Sequence, residues 1–259
     1  MRPTFLAVGD VMVDVTASGS GHSARIGIAA GGAALNAAVS AAARGASSRL
    51  VGRVGDDLAG RAIRAALAER GVEAELSVDA EAPTGTFLLV AGEIRADRGA
   101  NARFEPDDLP ERLEADAILV SGYLPPATVA AALERAEGEW VALAPSRLDR
   151  VPDAPNAILV DEVEARRLTG RAPVDAARAL GERFRLACVT RGAEGAVAVL
   201  DGQLEMWGAP APVAAGGSVG AGDAFAAALL VALVTGARLR EALEAASQLG
   251  AAVAAGARP

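Results

Sequence analysis

The 259-residue sequence predicts an α/β protein with a central, mostly parallel sheet flanked by helices, and three observations carry that prediction. Short apolar runs of strand length alternate with amphipathic stretches of helical period, the pattern of βαβ units around a buried parallel sheet. Apolar residues make up 52% of the chain and aromatic residues only 3%, so alanine, valine and leucine must build the core by close packing of small side chains. The run Ala224 to Val234 is apolar all round and reads as a helix buried on every side.

In chain order, Phe5 to Gly9 is a short buried strand ending in a turn. Asp10 to Asp14 alternates with period two, which places both carboxylates on one face and Val11 and Val13 on the other. Residues 18–30, rich in glycine, serine and alanine, read as a flexible excursion or a small ribbon. Gly31 and Gly32 then open an alanine-rich helix that ends near Gly45. Ser48 to Gly52 is a strand, and Asp56 or Asp57 caps a helix over Leu58 to Glu69. Strands follow near Glu75 to Val78 and Thr86 to Ala91, separated by the turn Ala82 to Gly85, and Glu93 to Phe104 is too polar for core and reads as a loop. The second half repeats strands Ala117 to Ser121, Trp140 to Ala144, Ala157 to Val160 and Leu186 to Val189, with helices Pro126 to Glu137 and Asp161 to Leu168. Ala196 to Leu200 pairs with Gln203 to Trp207 as a hairpin, and a last helix runs from about Leu239 to Ala255.

Composition excludes several chemistries. Net charge is -8 with no basic tail, which argues against a nucleic-acid partner. No apolar run reaches membrane-spanning length and Met1 to Val15 lacks a signal-peptide pattern, so no membrane partner and a cytoplasmic location are expected. Lysine is absent altogether, which removes Schiff-base chemistry and a Walker A phosphate loop. The single cysteine, Cys188, lies in an apolar strand and the single histidine, His22, in a polar loop, so a structural zinc site is excluded as well.

The segment Gly216 to Asp223 permits two chemistries. Gly216-Gly217-Ser218-Val219-Gly220 matches the G-x-S-x-G nucleophile elbow, which needs a strand before Ser218 and a histidine after it. The stretch Ala209 to Ala215 holds two prolines and His22 lies far upstream, so that reading fails. Phosphoryl transfer fits the residues present. Gly220, Ala221 and Gly222 keep side chains clear of backbone N–H donors at a helix N-terminus, and Asp223 lies in the first turn as a base for a hydroxyl. Read alone, the stretch favours Asp223 as a helix cap over a base. Asp161 to Glu164 likewise reads either as acids complementing a helix dipole or as a carboxylate cluster for hydrated magnesium.

Taken together, Gly9-Asp10 to Asp14, the GG-x-x-x-N segment Gly31 to Asn36, Val51 to Gly60, Arg98-Gly99-Ala100-Asn101, Asp161 to Glu164, Thr190 to Gly195 and Gly220-Ala221-Gly222-Asp223 occur in one order. That ordered set resembles the ribokinase/PfkB family of carbohydrate kinases over almost the whole chain. The resemblance implies one ribokinase-like domain over 1–259, a three-layer sandwich with a reduced β lid drawn from 10–30 and 84–104. It implies an ATP-dependent kinase of a small sugar-like alcohol, with Asp223 as base and Gly220, Ala221 and Gly222 as anion hole. Asp14, Gly31, Gly32, Asn36, Arg98 and Asn101 would hold the substrate. Asp161, Thr190, Arg191, Gly192, Gly195, Gly222 and Ser247 would hold ATP, and Glu164 would act on Mg2+ through water. A homodimer is compatible with this reading.

The chain also departs from the family pattern. Gly217-Ser218-Val219 replaces the usual Asp-Thr before the signature, which argues against a monovalent cation. Ala33 replaces a common lysine, and Asp161 replaces the Asn of N-x-x-E. A nucleoside kinase and a non-catalytic ligand-binding protein on the same fold are the alternatives.

Overall fold

The computed structural model describes residues 2–90, 92–208 and 219–256; Gly216, Gly217 and Ser218 lie outside them. The chain starts with β1 (Thr4–Val8), β2 (Met12–Ser18), β3 (Arg25–Gly31), α1 (Ala33–Ala43), β4 (Ser47–Gly55), α2 (Leu58–Glu69) and β5 (Val72–Asp79). It continues through β6 (Gly85–Val90), β7 (Glu93–Asp97), β8 (Leu113–Glu114), β9 (Ala117–Ser121), α3 (Pro126–Arg135) and β10 (Ala136–Glu137). Then come β11 (Trp140–Ala144), β12 (Ala157–Asp161), α4 (Glu162–Thr169), α5 (Pro173–Gly181) and β13 (Leu186–Thr190). β14 (Ala196–Leu200), β15 (Gln203–Trp207), α6 (Ala221–Val234) and α7 (Leu239–Ala254) complete the described chain.

Among the described residues the main sheet has nine strands in the order β15-β14-β13-β12-β11-β9-β1-β4-β5. β14 runs antiparallel to β13 and β15, and the remaining neighbours pair in parallel. Alternation along each strand separates two packed faces. Phe5 and Ala7 of β1, Ala142 of β11 and Cys188 of β13 meet α1, α2, α6 and α7 on one side. Leu6 and Val8 of β1 and Leu143 of β11 meet α3 on the other, where Ile158, Val160 and Val189 meet α4 and α5. The result is a three-layer sandwich. α6 lies between α1 and α7 and is buried from Ala224 through Val231, as its unbroken apolar sequence requires.

A second sheet, in the order β3-β2-β6-β7, is built from residues 12–31 and 85–97. Of the two readings of residues 18–30, the ribbon is the one realised, as residues 25–31 pair antiparallel with β2. One expectation changes: Glu93 to Asp97 is an edge strand paired with β6 rather than a loop. All five residues of β7 are exposed, so no apolar alternation marked it in the sequence. β4 also runs on through Gly55, and a further helix, α5, begins at Pro173 in a stretch where none was expected.

Candidate active site

The site forms at the carboxyl ends of β1, β9, β11, β12 and β13, where the sheet order reverses about β1 and connections leave in opposite directions. Gly220 caps α6 with φ of +80°, a left-handed conformation in which a side chain is strained. A Cβ there would also lie 3.1 Å from the Asn36 Nδ2. Glycine therefore lets α6 start directly against α1. Asp223 is the third residue of α6, and its Oδ2 accepts a hydrogen bond from Asn36 Nδ2 at 3.1 Å. The amides ahead of it belong to the first helical turn, which lacks intrahelical acceptors, and they carry the positive end of the helix dipole. Burial pushes the Asp223 carboxyl up to about 7, reinforced by the charges of Asp10 and Asp14 and opposed by the Asn36 hydrogen bond.

Two cavities meet at this carboxylate. The larger, about 700 Å³, is lined by Asp14, Gly32, Asn36, Phe87, Arg98 and Arg147 among others. The smaller, about 180 Å³, is lined by Asp161, Glu164, Thr190 and Phe225 among others. Gly222 and Asp223 border both.

On the larger side, Asp14 of β2 lies in register with Phe87 of β6, which faces Ala96 of β7, so the three line one face of the second sheet. A Cβ at Gly31 would collide with the Asp14 carboxyl, and one at Gly32, where φ is +99°, would strike the carbonyl oxygen of Asp10. Both glycines thus serve close backbone approach between β3, α1 and the turn after β1. Burial and the charge of Asp10 raise the Asp14 carboxyl to about 6. Asp10 itself is 5% exposed and structural in its contacts, accepting from the Ala33 amide at 2.9 Å and from Ser121 Oγ at 2.8 Å. Asn101 is buried, with Oδ1 accepting from the Val11 amide and Nδ2 donating to the carbonyls of Val11 and Arg98. Its amide hydrogens are spent on the chain, so it positions the cleft wall.

On the smaller side, Asp161 caps α4. Its Oδ1 accepts from the Glu164 amide at 2.7 Å while Glu164 Oε2 accepts from the Asp161 amide at 2.9 Å. The cap reading of this acid cluster is realised, yet one Glu164 oxygen stays available to the cavity. Burial, with the neighbouring Asp161 charge, lifts its carboxyl to about 7. Thr190 ends β13 beside Asp161 of β12. The following turn closes with the Arg191 amide donating to the Gly195 carbonyl, and Gly192 and Gly195 both take positive φ. Arg191 turns back on Glu194, and Ser247 is buried in α7 at 6% exposure with no hydroxyl partner among the described residues; neither residue lines either cavity.

Four polar cleft residues escaped sequence reasoning: Ser121, Tyr123, Ser146 and Arg147. They lie at or just past the carboxyl ends of β9 and β11, so the edge rule for open α/β sheets was the signal that could have found them. Cys188 is fully buried in β13, its thiol pushed up to about 12 by burial, and the exposed His22 sits in the turn before β3; neither lines the two cavities.

The pfkB family carbohydrate kinase profile matches residues 3–257. Over 266 aligned residues the chain is 32% identical to a fructokinase of Klebsiella pneumoniae, covering 90% of this chain and 85% of that protein. It is also 32% identical, over 86% of its length, to the bifunctional protein HldE of Caulobacter vibrioides, of which it spans only 52%. Ribokinase of Arabidopsis thaliana, solved in complex with ribose and ATP, superposes with a TM-score of 0.79 at 24% identity, covering 98% of this chain and 93% of that one. The fold is therefore ribokinase-like. The chain belongs to the pfkB family of carbohydrate kinases and is an enzyme of that class.

Proposed function

We propose that the protein transfers the γ-phosphoryl group of ATP to a hydroxyl of a small sugar-like molecule, with Asp223 as the base. The observation that carries this reading is the Asp223 carboxylate at the seam of two cavities, on the first turn of a buried helix. A hydroxyl in the larger cavity gives its proton to Asp223. Its oxygen forms the new bond to the γ-phosphorus as the bond to the β–γ bridging oxygen breaks, and ADP leaves. The Gly220 to Gly222 backbone stabilises the charge that develops on the transferring group. Asp14 and Asn36 orient the sugar hydroxyls, with Gly31 and Gly32 allowing close approach, Arg98 at the cleft wall and Asn101 holding that wall. Asp161, Thr190, Arg191, Gly192, Gly195 and Ser247 belong to the nucleotide side.

Among the described residues, no group of three or more metal-ligating side chains is gathered at one point. That suits magnesium, which keeps its waters and is held by one or two carboxylates plus substrate phosphates. Glu164 would hold it through water. Magnesium supplies charge neutralisation of the phosphates. Among the described residues no helix is long and apolar enough to cross a membrane.

The test is ADP release with ATP and magnesium against pentoses, hexoses and ribonucleosides. Sugar-dependent ADP release matched by a phosphorylated product is expected. ATP hydrolysis without a phosphorylated acceptor would contradict the proposal.

A further inference from the structure

Of the segments that carry the family resemblance, Val51 to Gly60 alone sends no residue to either cavity. It closes instead on Thr84, the residue ahead of β6, which is 4% exposed. The Thr84 amide donates to Asp57 Oδ2 and its hydroxyl to Asp57 Oδ1, both at 2.7 Å, while the hydroxyl oxygen accepts from the Gly55 amide at 3.0 Å. Asp57 is the N-cap of α2, a task that the bond from the Gly60 amide at 2.8 Å already performs. Its remaining acceptor capacity goes to Thr84. A Cβ at Gly55 would lie 2.5 Å from the Thr84 nitrogen, and one at Gly60 would press on its hydroxyl at 3.1 Å. The glycines of this segment thus leave room for a socket, and Thr84 fills it.

The socket matters because the second sheet has little apolar packing to fix its place. Within β2, β3, β6 and β7 the buried residues are Met12, Gly31 and Gly85, a single row in register at the end where the strands join the main body. Beyond that row every residue is exposed or half-buried. Placement therefore depends on polar anchors at the roots of the strands. Asn101 accepts from the Val11 amide and donates to the Val11 and Arg98 carbonyls, and the Ala100 amide donates to the Pro83 carbonyl at 2.8 Å. These bonds join the roots of β2, β6 and β7 to one another, whereas Thr84 joins them to β4 and α2. β6 is an inner strand of its sheet, and Met12 and Asp14 of β2 lie in register with its Gly85 and Phe87. A displacement at Thr84 therefore carries to Asp14, on the wall of the larger cavity.

We propose that Thr84 is a positioning residue: seated against Asp57 and the Gly55 amide, it fixes the second sheet on the main one and so places Asp14 for the acceptor. The kinetic consequence rests on the kinase reading, and the seating of the sheet does not.

The experiment compares the unaltered protein with Thr84→Val, Thr84→Ser and Asp57→Asn, by hydrogen–deuterium exchange and by ADP release with the most active of ribose, fructose and adenosine. Thr84→Val removes the hydroxyl. Asp57→Asn keeps a competent helix cap but takes an acceptor from the Thr84 amide, so it decides the matter if Thr84→Val does not fold. In both, exchange in β2, β3, β6 and β7 should accelerate roughly 10-fold or more, the size of one lost charge-assisted hydrogen bond, with β1, β9 and β11 unchanged. The acceptor KM should rise by a similar factor while the KM for ATP stays constant. Thr84→Ser, which keeps the hydroxyl, should match the unaltered protein in both readouts. Exchange that rises evenly over both sheets, or in neither, overturns the proposal, as does a rise confined to the second sheet with the acceptor KM unchanged. No ADP release with any of the three acceptors counts against the kinase reading and leaves the seating to exchange alone, where a rise confined to the second sheet upholds it and an even rise overturns it.

Discussion

At the scale of single residues, the proposed chemistry rests on a carboxyl group whose surroundings disfavour its charge. Asp223 titrates near 7, so the proton-accepting form accumulates only as the pH rises through that value. kcat/KM for the acceptor is therefore expected to have an acid limb with a midpoint near pH 7, read from a pH–rate profile. A limb near pH 4 would mean an ordinary solvated carboxylate. The linkage sign is the reverse of the usual carboxylate case. The folded state holds the proton more tightly than the unfolded chain, so this group lowers stability as the pH rises from about 4 to about 7. Asp223→Asn should accordingly melt higher than the unaltered protein at pH 8, with the gap closing toward pH 4. The place of Asp223 on the first turn of a buried helix was legible in the sequence because glycines and an apolar run flank it. Its perturbed state was not, because Asn36, Asp10 and Asp14 reach it only through the fold.

At the scale of elements, glycine decides how closely helices and strands approach the reacting groups. Gly32 sets the start of α1 at φ of +99°, against the Asp10 carbonyl. Gly32→Ala should cost about 1–3 kcal/mol in urea unfolding and raise the acceptor KM, since Asn36 rides on the same helix. Loss of neither would mean that α1 tolerates a shifted start. Most elements were legible because their faces are either wholly apolar, as in β9 and α6, or strongly periodic. β7 was not. As an edge strand of the second sheet, with every residue exposed, it has no core side to impose alternation. Asp161 and Glu164 illustrate the converse, since residues that form a reciprocal helix cap also line the smaller cavity.

At the scale of the molecule, the second sheet must be held in place on the main one for the cleft to exist. Asp79, 2% exposed at the end of β5, ties the connection leading into β6 and the segment after β7 to the main sheet. It accepts from the Glu81 and Ala82 amides at 2.9 Å each and pairs with Arg53 and Arg103, while Arg53 also grips Asp108. Those backbone hydrogen bonds, with Arg53, hold its carboxyl down at about 2. The folded value lies below the unfolded one, so this stabilisation is complete above pH 4 and is lost as the pH falls toward 2. Asp79→Asn should cost about 2 kcal/mol at pH 7 by denaturant titration, the difference vanishing near pH 2. Equal stability at pH 7 would contradict that role. The sandwich itself was legible in the alternation of apolar strands with amphipathic helices. The joining of distant arginines and carboxylates was not, because Arg53, Asp79 and Asp108 meet only once β4, β5 and the segment after β7 are placed. The central claim is that Asp223 takes the proton of the acceptor hydroxyl. Its most direct test is acceptor-dependent ADP release by Asp223→Asn beside calorimetric binding of the same acceptor. Turnover should fall by roughly 10²–10⁴-fold, or below detection, with the acceptor still bound; turnover retained near the unaltered rate would contradict it.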